Sequence, residues 1–331
     1  MNLYKNQLQE FNDLSDIQSD MGLTISSKKL TSLDLVGNEK ILVNFNNAIR
    51  QEWIKKISET TSKIYKSTLW GTTIKDIQNF NYHFSYETLL NDENEFAELM
   101  GYSINGMFNK TFLFSSGMNT ITSLLFCLNS FLKNNLEIQA SVGYYETKYF
   151  LKILASMGIK INLDWKLNST SNVFFFEPIK YDTSLSVTNI EKLILSINTS
   201  KAKLKILIMD SSMHNVTNLL ENIKNKISNI DNIIFFDIRS GLKLDQEGLE
   251  LTNLGICTSF VTIHNKPLFT MIKNYIEQYK GITGNNLSLA SLCLSHYFKT
   301  LKSKTYSRKV QDQVTWAWEK LNPLKSKIVK K

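Results

Sequence analysis

The sequence predicts an α/β fold: a mostly parallel, seven-stranded sheet sandwiched by helices, preceded by a helical N-terminal arm. Three observations predict it. Between about residues 105 and 265, short apolar segments alternate with amphipathic segments of helix length. Several of the apolar segments are continuously hydrophobic and rich in Ile, Val and Phe, the signature of strands covered on both faces. Regular alternation of strand and helix favours parallel neighbours joined by helical crossovers.

The elements follow in order. Residues 1–100 hold few strand signals, and their helical stretches, such as Asn44–Lys66, read as the arm. The strand candidates are Thr111–Phe114, Ile138–Val142, Ile159–Leu163, Asn172–Glu177, Leu204–Asp210, Asn232–Asp237 and Cys257–Ile263. Helix-length segments lie between them at Asn119–Leu132, Thr147–Met157, Thr188–Ile197 and Val216–Ile227. An amphipathic helix follows residue 285. With proline only at 178, 267 and 323, no Pro/Gly-rich linker divides the chain. The expected organisation is an arm over 1–100, a large domain over 101–280 and the helical start of a shortened C-terminal region over 281–331.

Composition narrows the function classes. The chain has 331 residues, 43% hydrophobic and 21% charged, enough to bury a full core. Its longest apolar runs are too short to span a bilayer, and the first residues lack the apolar centre of a secretory signal. The expectation is a cytoplasmic protein with no membrane partner. Cys127, Cys257 and Cys293 are odd in number and set in apolar sequence, so buried reduced thiols are expected rather than a disulfide framework. His83, His214, His264 and His296 show no metal-ligand spacing, and no metal is expected. The net charge of +8 comes almost wholly from lysine, with arginine only at 50, 239 and 308. The lysines are spread along the chain, apart from a dense tail over 325–331. Nucleic acid is not an expected partner.

Four features carry chemistry, and each has a plain structural explanation when taken alone. Ser115-Ser116-Gly117-Met118 follows a strand and opens a helix; such a turn exposes backbone N–H groups that suit a phosphate, or simply reverses the chain. Gly143-Tyr144-Tyr145 ends the next strand, where an aromatic ring can stack on a planar ligand. Asp210 ends the strand LKILIMD and precedes Ser211-Ser212. A carboxylate at that edge can hold a protonated pyridine nitrogen or cap the next helix. Arg239-Ser240-Gly241-Leu242-Lys243 follows the next strand, and a desolvated lysine there can attack an aldehyde. Taken together, phosphate cradle, stacking aromatic, pyridine-nitrogen acid and Schiff-base lysine stand in that order at successive strand ends. One ligand needs all four: a phosphorylated pyridine aldehyde.

At these positions the chain resembles the fold-type I pyridoxal-5′-phosphate (PLP) enzymes, and within them the cysteine and methionine metabolism group of cystathionine synthases and lyases. The resemblance covers roughly residues 80–310. Ser116-Gly117-Met118 is similar to that group's Ser-Gly-Met phosphate loop, and Tyr144-Tyr145-Glu146-Thr147 to its Tyr-Gly-Gly-Thr segment. Phe176-Glu177-Pro178 looks like its Glu-x-Pro stretch. Asp210-Ser211-Ser212 is similar to Asp-Asn-Thr, and Ser240-Gly241-Leu242-Lys243 to Ser-x-Thr-Lys. Phe298-Lys299-Thr300-Leu301 resembles a Leu-Lys-Thr-Leu element. The resemblance implies a PLP-dependent transferase-like fold, with Ser116, Gly117, Met118, Tyr144, Asp210, Ser212, Ser240 and Lys243 binding the cofactor and Lys243 catalytic.

The chain also departs from the group. Leu242 replaces the usual Ser or Thr before the lysine. Phe84 and Tyr86 stand where the group has a Tyr and an Arg that reach a neighbouring subunit's phosphate. The C-terminal domain that would carry an arginine for the substrate carboxylate is not evident; Arg239 or Arg308 could serve. The implied activity is a lyase or transferase acting on a small amino-acid substrate, by β/γ-elimination or replacement, in a homo-oligomer (dimer or tetramer). The alternative is a catalytically degenerate PLP-fold protein with a binding or regulatory role. A nucleotide-dependent transferase is disfavoured, because the first strand is followed by neither Gly-x-Gly-x-x-Gly nor a Walker-type lysine.

Overall fold

The computed structural model describes residues 3–64, 72–77, 80–84, 93–163, 170–181, 186–213, 217–242, 244–295 and 297. Their elements are α1 (Leu3–Asp20), α2 (Leu35–Ile64), β1 (Thr72–Ile77), β2 (Phe80–Phe84), α3 (Glu93–Met100), β3 (Phe108–Phe114), α4 (Gly117–Phe131), β4 (Glu137–Ser141), α5 (Tyr145–Ser156), β5 (Lys160–Asn162), β6 (Val173–Phe176), α6 (Ile190–Thr199), β7 (Lys205–Asp210), α7 (Thr217–Lys226), β8 (Ile233–Ser240), β9 (Gly255–Val261), α8 (Lys266–Thr283) and α9 (Leu289–Ser295). Among the described residues no helix is long and apolar enough to cross a membrane. The chain divides into two compact units, one of Met1–Thr60, Leu242–Leu251 and Leu294–Lys331, the other of Thr61–Gly241 and Thr252–Cys293.

In the first unit, Leu14, Ile17, Phe45, Ile49 and Trp53 are buried, spaced along α1 and α2 at helical intervals. A polar knot ties the two helices. Asn38 is buried and donates to Gln7 at 3.0 Å and to the Thr31 carbonyl at 2.7 Å, while Gln7 donates to the Leu35 carbonyl at 2.9 Å. Trp53 meets Tyr297 edge-on at 5.5 Å, and Lys56 donates to the Met21 carbonyl at 2.6 Å.

The second unit is built on a seven-stranded sheet in the order β3-β9-β8-β7-β6-β4-β5. β4 with β5 and the run β4-β6-β7-β8 pair in parallel, and β9 is antiparallel to both β8 and β3. All seven strands predicted from sequence are present, with ends shifted by no more than three residues. Helices α5, α6 and α7 are the crossovers between β4 and β5, β6 and β7, and β7 and β8. Alternation along the strands sends Ile206, Ile208, Ile234 and Phe236 to the face packed by α4, α5 and α8. Leu207, Met209, Ile233 and Phe235 go to the face packed by α6 and α7. From β4 the chain moves outward to β5, whereas from β6 it moves the other way, through β7 and β8. The β4/β6 boundary is therefore a topological switch point, where the crevice beyond the carboxyl ends of an α/β sheet opens.

Two elements depart from the sequence expectation. Strands β1 and β2 pair antiparallel, with Thr72 opposite Phe84, inside the stretch read as holding few strand signals. Polar residues interleave their apolar ones, so no continuous run marks them. Helix α8 begins with Pro267 in its first turn and ends at Gly284, whose φ of 68° is the left-handed conformation a helix stop favours. All three cysteines are free and buried, and burial pushes the Cys127 thiol up to about 12.

Candidate functional site

The predicted residues that the structure describes gather along the carboxyl edge of the sheet. β3 ends at Phe114, and Ser116 caps α4: its side chain accepts the Asn119 N–H at 3.1 Å from an extended backbone. Asn119 in turn donates to the Ser115 hydroxyl at 2.6 Å. The first helical amides, those of Gly117 and Met118, have no intrahelical acceptor, so the turn presents N–H groups and the positive end of the helix dipole. Met118 is partly buried and leans towards α5, where the Thr147 hydroxyl lies 3.9 Å from its sulfur.

Gly117 joins this turn to β8. A Cβ built on it would lie 3.0 Å from Ser240 Cβ and 3.2 Å from Ser240 Cα, so the absence of a side chain allows the close approach. Ser240 is joined to β7: its N–H donates to the Ser212 hydroxyl at 2.8 Å, and the Ser212 N–H donates to Asp210 Oδ1 at 3.0 Å. Gly117, Ser240, Ser212 and Asp210 thus form one chain of contacts across β8 and β7. Asp210 is buried. Desolvation pushes its carboxyl up to about 6, against the lowering effect of the Ser212 hydrogen bonds, and the nearby Glu177 carboxylate adds to the rise.

Across the switch point, Tyr144 is the N-cap residue of α5, and its hydroxyl donates to Glu146 at 3.0 Å. Its ring lies 5.2 Å from that of Tyr145 and 5.9 Å from that of Tyr181. Burial, followed by the Glu146 hydrogen bond and charge, pushes the phenol up to about 12. Beneath it lies Glu177, the first residue beyond β6, which is buried. Glu177 Oε2 accepts the N–H groups of Gly143 at 2.8 Å and Tyr181 at 3.0 Å, while that of Tyr144 is shared between Oε1 at 3.1 Å and Oε2 at 3.3 Å. Sequence reasoning placed Glu177 in a motif but gave it no role. An acid closing the apolar run VFFF just before Pro178 was the signal.

Arg239 turns to the opposite face of the sheet from Ser240. Its guanidinium donates to the Met100 carbonyl at 2.7 Å and lies 3.6 Å from Asp237. This ties β8 to the end of α3, and the guanidinium is committed to these partners. Asp237 is almost wholly buried. Burial pushes it up to about 6, with the Arg239 charge opposing. Lys243, Arg308 and the Phe298–Leu301 stretch lie outside the described residues, as do Ser85, Tyr86 and the side chain of Phe84.

The arrangement offers an anion seat and a cation seat. The N-terminus of α4, backed by Ser240, suits a phosphate. The buried Asp210 suits a protonated ring nitrogen, whose charge would offset the desolvation that raises the carboxyl. A small planar molecule with an anionic group at one end and a basic nitrogen at the other matches this pair.

No protein-family model matches the chain. No curated protein matches it by sequence. Solved structures do match. The psychrophilic aromatic amino acids aminotransferase from Psychrobacter sp. B6, cocrystallised with aspartic acid, aligns with a TM-score of 0.53 at 10% identity, over 85% of this chain and 73% of that one. An aromatic amino acid aminotransferase with 3-indolebutyric acid aligns with a TM-score of 0.50 at 9% identity, over 80% and 77%. At such identity the likeness shows the fold, which is that of the aminotransferases. It does not support the narrower resemblance to cystathionine synthases and lyases.

Proposed function

We propose that the chain is a PLP-dependent enzyme acting on amino acids, with amino-group transfer the favoured reaction. One observation carries the reading. The chain of contacts from Gly117 through Ser240 and Ser212 to Asp210 links a helix-N-terminal anion seat to a buried carboxyl across two adjacent strand ends. The aminotransferase fold of the structural neighbours favours transfer over the elimination or replacement that the sequence suggested. The bound cofactor supplies an aldehyde that binds amines and a ring that accepts electron density.

The protein's residues supply the rest. Ser116, Gly117, Met118 and Ser240 bind the phosphate, largely through backbone N–H groups and a hydroxyl. Asp210 holds a proton on the ring nitrogen, and Ser212 orients Asp210. Tyr144 covers one face of the ring. Lys243, the next lysine beyond Ser240 in sequence, attaches the cofactor and then moves a proton at the substrate's α-carbon. The same reading includes a cytoplasmic homo-oligomer, with a PLP-binding domain over 101–280 that contains every one of these residues.

The test is spectroscopic. Protein purified with PLP should show a visible absorption band that borohydride removes and that Lys243→Ala abolishes, with the reduced label on the Lys243 peptide. Absence of the band, or a label on another lysine, rejects the reading. Supplying an amino acid with a 2-oxo acid then separates amino exchange from release of ammonia.

A second reading, a PLP-fold protein without turnover, is favoured by a separate observation. Both described arginines are engaged, Arg50 at 3.6 Å from Glu250 and Arg239 on Met100 and Asp237. Cofactor binding without exchange or release on any amino acid would establish it.

A further inference from the structure

The crevice at the β4/β6 switch point is bounded by two backbone segments that are distant in sequence, Gly143–Tyr144 after β4 and Pro178–Tyr181 after β6. They approach closely: a Cβ on Gly143 would lie 2.6 Å from the Tyr181 nitrogen and 2.7 Å from the Lys180 carbonyl carbon. Glu177 lies where they meet. Its two carboxyl oxygens take three backbone N–H groups, from Gly143, Tyr144 and Tyr181, all within 3.1 Å. The next turn is fixed to the same residue, because Thr188 donates its hydroxyl to the Glu177 carbonyl at 2.6 Å and its N–H to the Pro178 carbonyl at 2.9 Å. A buried carboxylate serving only to satisfy stray amides would be costly. Here it is placed where one rigid group can set the position of an aromatic ring relative to a sheet edge.

We infer that Glu177 is a positioning residue: it fixes the Gly143–Tyr144 turn against the 178–181 segment and so holds the Tyr144 ring in register with the Asp210 edge. The inference deepens the proposed function and, for the ring's role, rests on it. The two oxygens carry unequal loads. Oε2 holds Gly143 and Tyr181 and also takes Tyr144 at 3.3 Å, whereas Oε1 takes Tyr144 alone, at 3.1 Å. Replacing Glu by Gln keeps the shape and one acceptor oxygen. The other position becomes an NH₂ group facing an N–H donor. The orientation that preserves most bonds keeps the oxygen at the Oε2 position and leaves Tyr144 only its longer 3.3 Å bond there, so Glu177→Gln should loosen Tyr144 more than Gly143 or Tyr181.

Two measurements on the full chain test this. The first is amide hydrogen exchange without added cofactor. In Glu177→Gln the Tyr144 amide should exchange severalfold faster, the scale of a shared hydrogen bond to a charged group reduced to its longer, neutral half. Gly143 and Tyr181 should change less, and the far-ultraviolet circular dichroism should be unaltered. The second is the visible circular dichroism of PLP-loaded protein, divided by its visible absorbance, which reports how asymmetrically each bound ring is seated. That ratio should drop in Glu177→Gln while a band still forms, and Glu177→Asp, which has two oxygens but a shorter reach, should recover part of it. Unchanged Tyr144 exchange overturns the positioning role, and so does an unchanged ratio. If wild-type protein forms no visible band, the proposed function fails, and the exchange arm alone decides whether Glu177 fixes Tyr144.

Discussion

Asp210 carries a conflict between folding and ligand binding that a single substitution can separate. Its carboxyl is buried and raised from 3.8 to about 6. A raised acid binds more protons in the folded chain than in the unfolded one between those values. Stability therefore falls as pH climbs through that window and stays lower above it. Asp210→Asn removes the ionisation while leaving an oxygen to accept the Ser212 N–H. The cofactor-free variant should be more stable than wild type above pH 6, by at most about 3 kcal/mol, with the gain gone below pH 4. Thermal melts across that range check the sign. The same variant should bind PLP about tenfold or more weakly, since a neutral amide cannot hold the ring nitrogen's proton. A variant that is destabilised at neutral pH would contradict the burial argument. Asp210 was legible in sequence because it closes an apolar strand, and Ser240 because it follows one closely; a strand end is a position as well as a residue type. The roles of Glu177 and Arg239 were not. Glu177 reaches an N–H 34 residues earlier, and Arg239 a carbonyl 139 residues earlier, distances over which sequence carries no register.

The strand-to-helix joint at the head of α4 depends on the glycines that meet it from the sheet. Gly255 opens β9 opposite Phe114, and a methyl group there would land on the Ser116 carbonyl and the Thr120 hydroxyl. Both belong to the first turn of α4, where Thr120 donates its N–H and its hydroxyl to the Ser116 carbonyl at 3.0 Å. Gly255→Ala should therefore push that turn off the sheet. Overpacking of this kind typically costs about 1–3 kcal/mol, and here it should also loosen phosphate binding at Gly117 and Met118. Urea unfolding together with a PLP titration reads both effects, and an unchanged midpoint would show that the turn can shift without cost. At this scale the sequence was most readable where runs were continuous: VFFF and KILIMD are strands buried along their whole length. Helix α8 was harder to read. Its buried stripe of Phe269, Ile272, Ile276 and Lys280 has helical spacing, but the fourth position is a lysine, which breaks the apolar pattern. Lys280 lies over the Phe114 ring at 5.2 Å, a contact that only the packed sheet reveals.

For the molecule as a whole, the apolar residues left on the surface bear on assembly. Along α5, Tyr145, Tyr149 and Ile153 recur every four residues, and Met157 continues the stripe just past its end; Tyr149 and Met157 are 68% and 62% exposed. On the same side of the sheet α8 exposes Met271, Tyr275 and Ile282, the last at 86%. α4 lies between them, with Phe126 against both Phe150 at 5.8 Å and Tyr279 at 6.0 Å. Exposed large apolar side chains grouped on one side of a sheet mark a candidate interaction surface. It supports the homo-oligomer of the proposed function, with a second copy on this side of the sheet. Opposing it is the net charge of +8, which two copies bring together. Salt screens that repulsion, with a Debye length of about 8 Å at 0.15 M, and leaves the apolar term largely intact. Association should therefore tighten as salt is raised, the reverse of an assembly held by ion pairs. Sedimentation velocity at two ionic strengths measures this. Tyr149→Asp combined with Ile282→Asp should shift the protein towards monomer while its far-ultraviolet circular dichroism stays as in wild type. A wild-type monomer at tens of micromolar in high salt would exclude this surface as an interface between copies.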